Sequence, residues 1–210
     1  MKATEIQVQD GLRHLRDTDP ILREVIDRVG PFRLKPRADR FGSLVRSIIS
    51  QQISGSAAQS IRRRLERLTA PGRITPEKIL RLSPSALRSA GLSGQKQTYL
   101  RDLAGKVQRS EVRLRSIARC DDEAVIAELI QVKGIGVWTA QMFLMFSLGR
   151  LDVFPHDDLG IRNALRKLYS LPELPDKQVS LRIAEPWRPY ATIASWYCWR
   201  SLELPDLKGG

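Results

Sequence analysis

The sequence predicts an all-α protein, and two kinds of observation support this prediction. Apolar residues recur at the spacing of a helical face in almost every segment, and helix start signals, in which a capping side chain precedes a proline, occur repeatedly. The chain has 210 residues, 42% of them hydrophobic, which is enough for one sizeable core or two small lobes. Its formal charge of +12 favours a polyanionic partner, with nucleic acid the first candidate and an anionic membrane surface the second.

The first third of the chain contains three predicted helices. Residues Asp19 to Val29 form a short amphipathic helix, because Asp19 can cap it and Pro20 stands at its first position. The segment Pro31 to Pro36 ends this helix. The stretch FGSLVRSIISQQISGSAAQSIRRRLERL then predicts two helical runs that join near Ile53 to Ser56.

Helices with clear start signals occupy the middle of the chain. Thr75 and Ser83 each place a capping hydroxyl directly before a proline, which predicts two short helices. Apolar side chains at helical spacing predict a longer helix from Gln95 to Val107, and we expect its Lys96 and Arg101 to be solvated. A charged link follows this helix.

A glycine hairpin is the main feature of the next segment. A helix capped by Asp121 or Asp122 runs into VKGIGVW, and its two glycines can adopt positive φ, so that the chain reverses sharply with its amides exposed. Val137 and Trp138 begin the following helix. The hairpin could hold a phosphate beside Lys133, or it could be a tight helix–helix turn without a ligand.

An acidic pair follows the second helix of the hairpin. The segment Trp138 to Leu148 is apolar nearly all round, and we expect it to be buried. In the sequence DVFPHDD, either Asp157 or Asp158, or both, could cap the next helix. If one of them is available, its carboxylate could stabilise the positive charge that develops on a sugar as a glycosidic bond breaks, and could orient the attacking water.

Cysteine usage and hydropathy predict a location in the cytoplasm. Cys120 and Cys198 lie far apart and form no CxxC pair, so we expect two free thiols in a reducing compartment. The N-terminus has no apolar run of signal-peptide length, and no segment reaches the roughly 18 apolar residues of a membrane span.

The order of these features resembles a known family. ISQQIS, GLSGQK, LIQVKGIGVWTA, DVFPHDD and a tryptophan-rich C-terminal helix follow one another as in the helix-hairpin-helix DNA glycosylases, most closely those of the 3-methyladenine DNA glycosylase II type. The resemblance extends from about Phe41 to Leu202. A hairpin followed by an aspartate some twenty residues later is far more specific than either feature alone.

The resemblance implies a set of functional residues. Asp158 matches the catalytic aspartate, which leaves Asp157 as the expected helix cap. Gln51 or Gln52 falls where relatives place the residue that wedges into the gap left by the extruded nucleotide. The expected hairpin contacts to the DNA backbone come from Lys133, Gly134, Ile135, Gly136 and Val137. The expected base pocket consists of Trp138, Trp196, Met142 and Tyr190, although Tyr190, Trp187 and Trp199 could also be core aromatics.

The resemblance also implies that no iron–sulfur cluster or other cofactor is needed. Members that cut the DNA backbone carry a lysine at the Trp138 position for Schiff-base chemistry, and iron–sulfur members carry a four-cysteine cluster. This chain has neither. In relatives the hairpin carbonyls hold a monovalent cation, which here would be Na⁺ or K⁺ on the carbonyls of Ile130, Val132 and Ile135.

The expected architecture is two helical lobes with the active-site cleft between them. Residues 38–148 form a central lobe that contains the helix-hairpin-helix at about 122–148, and residues 1–37 and 149–210 form a terminal lobe. The expected protein is a monomeric, monofunctional glycosylase that flips alkylated purines out of double-stranded DNA and leaves an abasic site, associated with the nucleoid if bacterial. Two alternatives remain: a non-catalytic helix-hairpin-helix DNA-binding module, and a glycosylase for oxidised or deaminated bases.

Overall fold

The computed structural model describes residues 5–205, and within this range it contains helices and no strand. The prediction of an all-α fold is confirmed. The helices are α1 (Glu5–Thr18), α2 (Pro20–Val29), α3 (Arg40–Ser50), α4 (Gly55–Leu68), α5 (Pro76–Arg81), α6 (Pro84–Ser89), α7 (Gly94–Gln108), α8 (Asp122–Leu129), α9 (Val137–Phe143), α10 (Leu159–Leu168), α11 (Lys177–Ala184) and α12 (Ala191–Ser201). Two single 3₁₀ turns, Ile117–Arg119 and Glu185–Trp187, and one π-helical turn, Leu144–Leu148, complete them.

The chain divides into two compact units. The terminal unit comprises Met1–Pro36 and Leu144–Gly210, and the central unit comprises Arg37–Phe143. The predicted lobe boundaries lay after residues 37 and 148, so the second division falls five residues earlier, where α9 passes into the π-helical turn. Residues 1–4 and 206–210 of the predicted terminal lobe lie outside the described residues.

Most helix starts follow the predicted capping chemistry. The side chains of Thr75 and Ser83 accept hydrogen bonds from amides three residues ahead, and proline occupies the first position of the helix in both cases. Asp121, rather than Asp122, caps α8 by accepting a hydrogen bond from the Ala124 amide. These caps fix where each helix begins, because they satisfy amides that have no partner inside the helix.

Asp19 is the polar centre of the terminal unit. Its Oδ1 caps α2 by accepting from the amides of Ile21 and Leu22, each at 3.0 Å. Its Oδ2 accepts from the indole of Trp187 at 2.8 Å and from the hydroxyl of Tyr169. Asp19 is itself buried, and Trp187 is fully buried among apolar side chains of α1, α2, α10 and α12. One carboxylate therefore organises groups from three separate parts of the chain.

Both cysteines are free, and Cys198 belongs to this core. Burial raises the pKa of the Cys198 thiol, and burial likewise raises the pKa of the Tyr169 hydroxyl. Both groups are therefore neutral at physiological pH. A neutral, buried thiol is a poor nucleophile, so Cys198 serves packing.

Two predictions about solvation are wrong. Lys96 and Arg101 on α7 were expected in solvent, but Lys96 donates to the carbonyls of Ile49 and Gln51, and Arg101 donates to the carbonyl of Leu82. Partial burial lowers the pKa of Lys96. Long cationic side chains can reach carbonyls left open at the ends of neighbouring helices, which sequence spacing does not reveal.

The apolar helix after the hairpin is only partly buried. Ala140, Phe143 and the π-helical turn contribute to the core, but Trp138 is 45% exposed at the first turn. The expectation that the whole segment is buried is therefore wrong at its N-terminal end. Within residues 5–205, none of the helices has the length and hydropathy of a membrane span.

We predict that Asp19→Ala destabilises the protein strongly. The change leaves the buried Trp187 N–H and Tyr169 O–H without their acceptor and removes the cap of α2, so the free energy of unfolding should fall by about 3 kcal/mol or more. Urea denaturation measures this loss. The control is Asp17→Ala, because Asp17 is exposed only two residues away and should cost little; equal losses in the two variants would contradict the role of Asp19.

Candidate active site and nucleic-acid interface

The hairpin between α8 and α9 combines a buried base with an exposed tip. Val132 and Ile135 are buried, whereas Lys133, Gly136 and Val137 are exposed. Gly134 has φ of +80°, and a Cβ at this position would overlap the ring of Tyr99. Glycine is therefore required at 134 both by backbone conformation and by packing.

Gly136 differs from its neighbour. It does not adopt the positive φ that both glycines could adopt, and a Cβ built on it would meet nothing within 4 Å. Its backbone lies at the exposed tip, directly before α9. The missing side chain leaves room for a second molecule to approach this backbone closely.

Side chains from other helices of the central unit fix the hairpin. The Lys133 amide donates to Asp102 Oδ2 at 2.8 Å, and Gln51 Nε2 donates to the Gly134 carbonyl at 2.7 Å. Lys96 Nζ donates to the carbonyls of Ile49 and Gln51 at 2.6 and 2.8 Å. These bonds connect the hairpin, the end of α3 and α7, so the hairpin backbone is held before any ligand binds.

The two glutamines after α3 have different environments. Gln51 is half-buried, and its side chain is occupied by the bond to the hairpin. Gln52 is exposed and has φ of +56°, a left-handed conformation that is uncommon for a residue with a side chain. Strained backbone of this kind concentrates at functional sites. Of the two candidates for the wedge, Gln52 is the one that faces solvent.

Asp158 begins α10 in the terminal unit. Its Oδ1 accepts hydrogen bonds from the Ile161 amide and from Trp199 Nε1, both at 2.9 Å. The expectation that Asp157 caps this helix is wrong, because the residue directly before Leu159 is the one that reaches the amide three positions ahead. Asp157 is exposed, and its Oδ1 lies 2.9 Å from Nδ1 of His156.

Trp196 stands on the same helix as Trp199. It is half-buried and meets Phe32 and Tyr197 edge-on, with ring centroids 5.1 and 4.9 Å apart. Tyr190 precedes α12 at its other end, where it packs against Gly11 and His14 of α1. The structure thus places Trp196 three residues from the partner of Asp158, and it places Tyr190 with α1.

The remaining predicted pocket residues belong to the central unit. Trp138 and Met142 lie one turn apart on α9, where Trp138 is exposed and Met142 is half-buried. Trp187 is fully buried, so it is a core aromatic.

The sequence did not identify Trp199 as part of the site. Its indole stacks on Phe146 with ring centroids 5.9 Å apart and an angle of 27° between the planes. A Cβ on Gly160 would lie 3.0 Å from both Trp199 Cδ1 and Asp158 Oδ1. The available signal was the three-residue spacing from Trp196, which puts both indoles on one side of a helix.

Comparison with known protein families identifies the superfamily to which this chain belongs. A fixed hairpin with an exposed backbone, followed by an aspartate at a later helix start, is typical of the helix-hairpin-helix class of proteins. The family model described as "HhH-GPD superfamily base excision DNA repair protein" matches residues 45–189, a range that includes the hairpin and Asp158. The chain belongs to this superfamily, and the predicted family resemblance is confirmed.

Two DNA-3-methyladenine glycosylases are similar in sequence to most of this chain. DNA-3-methyladenine glycosylase 1 of Schizosaccharomyces pombe is 35% identical over 198 residues, covering 92% of this chain and 87% of that protein. DNA-3-methyladenine glycosylase 2 of Escherichia coli is 30% identical over 177 residues, covering 79% of this chain and 60% of that protein.

Solved structures agree with these relatives. The Schizosaccharomyces pombe 3-methyladenine DNA glycosylase Mag1, in complex with abasic DNA, superposes with a TM-score of 0.84 at 33% identity, covering 95% of this chain and 100% of that one. A DNA-3-methyladenine glycosidase from Bacillus halodurans gives a TM-score of 0.82 at 36% identity, covering 91% and 88%.

We predict that alanine substitutions at the two hairpin glycines impair different properties of the protein. Gly134→Ala should lower the free energy of unfolding by at least about 1–2 kcal/mol, because alanine is strained at positive φ and overlaps Tyr99. Gly136→Ala should leave the melting temperature nearly unchanged but weaken binding to duplex DNA, since its methyl group occupies the exposed approach to the backbone. Thermal melts and fluorescence anisotropy measure the two effects, and unchanged DNA affinity in Gly136→Ala would contradict the hairpin contact.

Proposed function

We propose that this protein is a monofunctional DNA glycosylase that extrudes alkylated purines from duplex DNA, hydrolyses the N-glycosidic bond and leaves an abasic site for base excision repair. The observation that carries the proposal is the Asp158 carboxylate, fixed at a helix start by two hydrogen bonds in a chain that belongs to the HhH-GPD superfamily. Its named relatives are DNA-3-methyladenine glycosylases.

Asp158 would act on the sugar of the extruded nucleotide. As the glycosidic bond breaks, positive charge develops on the sugar ring, and a preorganised carboxylate stabilises that charge without having to reorient. The same carboxylate can orient the water that attacks the anomeric carbon. The step balances as follows: the cationic alkylated base leaves as a neutral molecule with the bonding electron pair, the water oxygen bonds to the anomeric carbon, and the proton of the water passes through the Asp158 carboxylate to solvent.

The reaction stops at the abasic site because the lyase step has no nucleophile. Backbone cleavage through a Schiff base requires an amine, and an indole occupies the corresponding position, Trp138. The abasic product therefore remains intact until another enzyme or alkali cuts it.

Aromatic side chains would favour alkylated purines. Alkylation at N3 or N7 gives the purine a positive charge, and an indole such as Trp196 attracts that cation by roughly 1–2 kcal/mol. Extrusion from the helix costs a few kcal/mol, and damaged pairing lowers this cost. Attraction to a cation requires few specific hydrogen bonds, so the enzyme should accept several alkylated purines.

The central unit would supply the contacts to DNA. The exposed hairpin backbone and Lys133 suit a phosphate group, and the net charge of +12 adds attraction that does not depend on sequence. Gln52 would enter the gap left by the extruded nucleotide. We further propose that the protein acts as a monomer in the cytoplasm, associated with the nucleoid in a bacterial cell.

We also propose that the hairpin carbonyls hold a monovalent cation. The Val132 carbonyl accepts a hydrogen bond from the Ile135 amide at 3.0 Å, and a carbonyl oxygen has a second lone pair. Together with the carbonyls of Ile130 and Ile135 it offers uncharged oxygen donors of the kind that Na⁺ or K⁺ accepts. Within residues 5–205, no cluster of three or more His, Cys, Asp or Glu side chains could hold a metal ion.

One observation favours a second candidate function, that of a non-catalytic DNA-binding module. Asp158 has a structural role as the cap of α10, which would account for its presence without any chemistry. The experiment below separates the two functions.

We predict that Asp158→Asn slows base release strongly, while the wild type excises alkylated purines. Asparagine can still cap α10, but it loses the negative charge that stabilises the sugar cation, so the single-turnover rate should fall at least about 100-fold. Methylated duplex DNA is the substrate, and chromatography measures the free base. Strand breaks should appear only after alkali.

The matched control is Asp157→Asn, which removes the adjacent exposed carboxylate and should retain the wild-type rate. Equal activity of wild type and Asp158→Asn would remove Asp158 from the mechanism. Binding without release of any alkylated base would establish the DNA-binding module instead.

We predict that Gln52→Ala impairs base release, whereas Gln51→Ala impairs stability. Gln52→Ala should reduce base release with little change in melting temperature, because an exposed side chain that enters the DNA is lost. Gln51→Ala should lower the melting temperature, because its side chain bonds to the Gly134 carbonyl. Melting curves and single-turnover excision distinguish the two, and a stable, slow Gln51→Ala with a fully active Gln52→Ala would reverse the assignment.

A further inference from the structure

We propose that Trp199 is a positioning residue that sets the orientation of the Asp158 carboxylate for base excision. This inference rests on the proposed function, because it concerns the same carboxylate. Trp199 Nε1 donates to Asp158 Oδ1 at 2.9 Å, and the Ile161 amide donates to the same oxygen at 2.9 Å. Two donors from different helices converge on one atom.

Two donors restrain the carboxylate more tightly than one. A helix cap alone leaves rotation about the last side-chain bond, because a single hydrogen bond can be kept over a range of angles. The indole approaches from α12 and the amide from α10, so together they fix the plane of the carboxylate. Catalytic groups need placement within about 0.5 Å and 10–20° of their productive geometry.

The surroundings of Trp199 fit a positioning role. Phe146 stacks on the indole, so the ring has a fixed plane from which to donate. Gly160 leaves the space in which the indole reaches Asp158, since a Cβ there would lie 3.0 Å from Asp158 Oδ1 and 3.2 Å from Trp199 Nε1. Phe146 and Gly160 are thus both compatible with the observed arrangement of Trp199 and Asp158.

Burial alone does not explain the hydrogen bond between Trp199 and Asp158. Trp187 makes the same indole-to-carboxylate bond to Asp19, but it is fully buried, so its N–H must find a protein acceptor. Trp199 is only partly buried. An indole with access to water gains less stability from a protein acceptor, which leaves orientation of Asp158 as the role of the bond.

The test compares Trp199→Phe with Trp187→Phe on methylated duplex DNA. Trp199→Phe keeps an aromatic ring against Phe146 and removes the N–H, so the single-turnover rate of base release should fall by about 10- to 100-fold. The dissociation constant for duplex DNA should stay unchanged. Trp187→Phe removes a bond of the same chemistry and should lower the melting temperature while keeping the wild-type rate.

Further variants keep the result interpretable. In an Asp158→Asn background, Trp199→Phe should cause no additional loss of rate, because a residue that acts through Asp158 has no effect once the carboxylate is gone. Gly160→Ala places a methyl group 3.0 Å from both Asp158 Oδ1 and Trp199 Cδ1, so one of these side chains must shift and the rate of base release should fall. If Trp199→Phe fails to fold, Phe146→Leu takes its place, because it removes the ring that stacks on the indole and should slow base release; a wild-type rate in that variant would overturn the positioning role.

The outcomes separate this inference from the function on which it rests. A wild type without activity on methylated DNA overturns the proposed function. An active wild type, an inactive Asp158→Asn and a Trp199→Phe at the wild-type rate overturn the positioning role alone. Additive losses in the double variant would also overturn it.

Discussion

The hydrogen bond from the Ile161 amide to Asp158 fixes the position of the Asp158 carboxylate. A helix start needs an acceptor for its open amides, and an aspartate at the cap places a negative charge where the positive end of the helix already favours one. The stability of α10 and the proposed chemistry thus require the same residue in the same conformation. Trp199 adds a second donor from α12, and Phe146 fixes the plane of that indole.

The central unit achieves rigidity by a different route. Its hairpin has few side chains of its own to hold it, so Asp102 of α7 and Gln51 of the loop after α3 bond to its backbone. Lys96 of α7 in turn donates to the carbonyl of Gln51. Tyr99 fills the space that glycine leaves at 134, while the space beside Gly136 stays open. Side chains of other segments therefore hold the hairpin backbone, and its tip stays exposed.

The sequence revealed the features that depend on local chemistry. Capping side chains before prolines located α2, α5 and α6, and the hairpin with its following aspartate identified the superfamily. Contacts between distant segments were not visible. Lys96 looked like a solvated cation because nothing nearby in sequence shows that it reaches the end of α3.

Choices between adjacent residues also needed the structure. Asp157 and Asp158 are chemically identical, and only the start of α10 decides which one caps it. Gln51 and Gln52 differ in backbone conformation, because Gln52 has a positive φ and Gln51 does not. Trp199 could not be separated from the core aromatics, because its role depends on an oxygen 41 residues away in sequence.

The bond between Gln51 and the Gly134 carbonyl has a consequence for how the protein would search DNA. Since Gln52 directly follows Gln51, the side chain that would enter the base stack is joined to the hairpin that would hold a phosphate. In the proposed function, the protein would therefore probe base stacking at a constant offset from the phosphate that it holds.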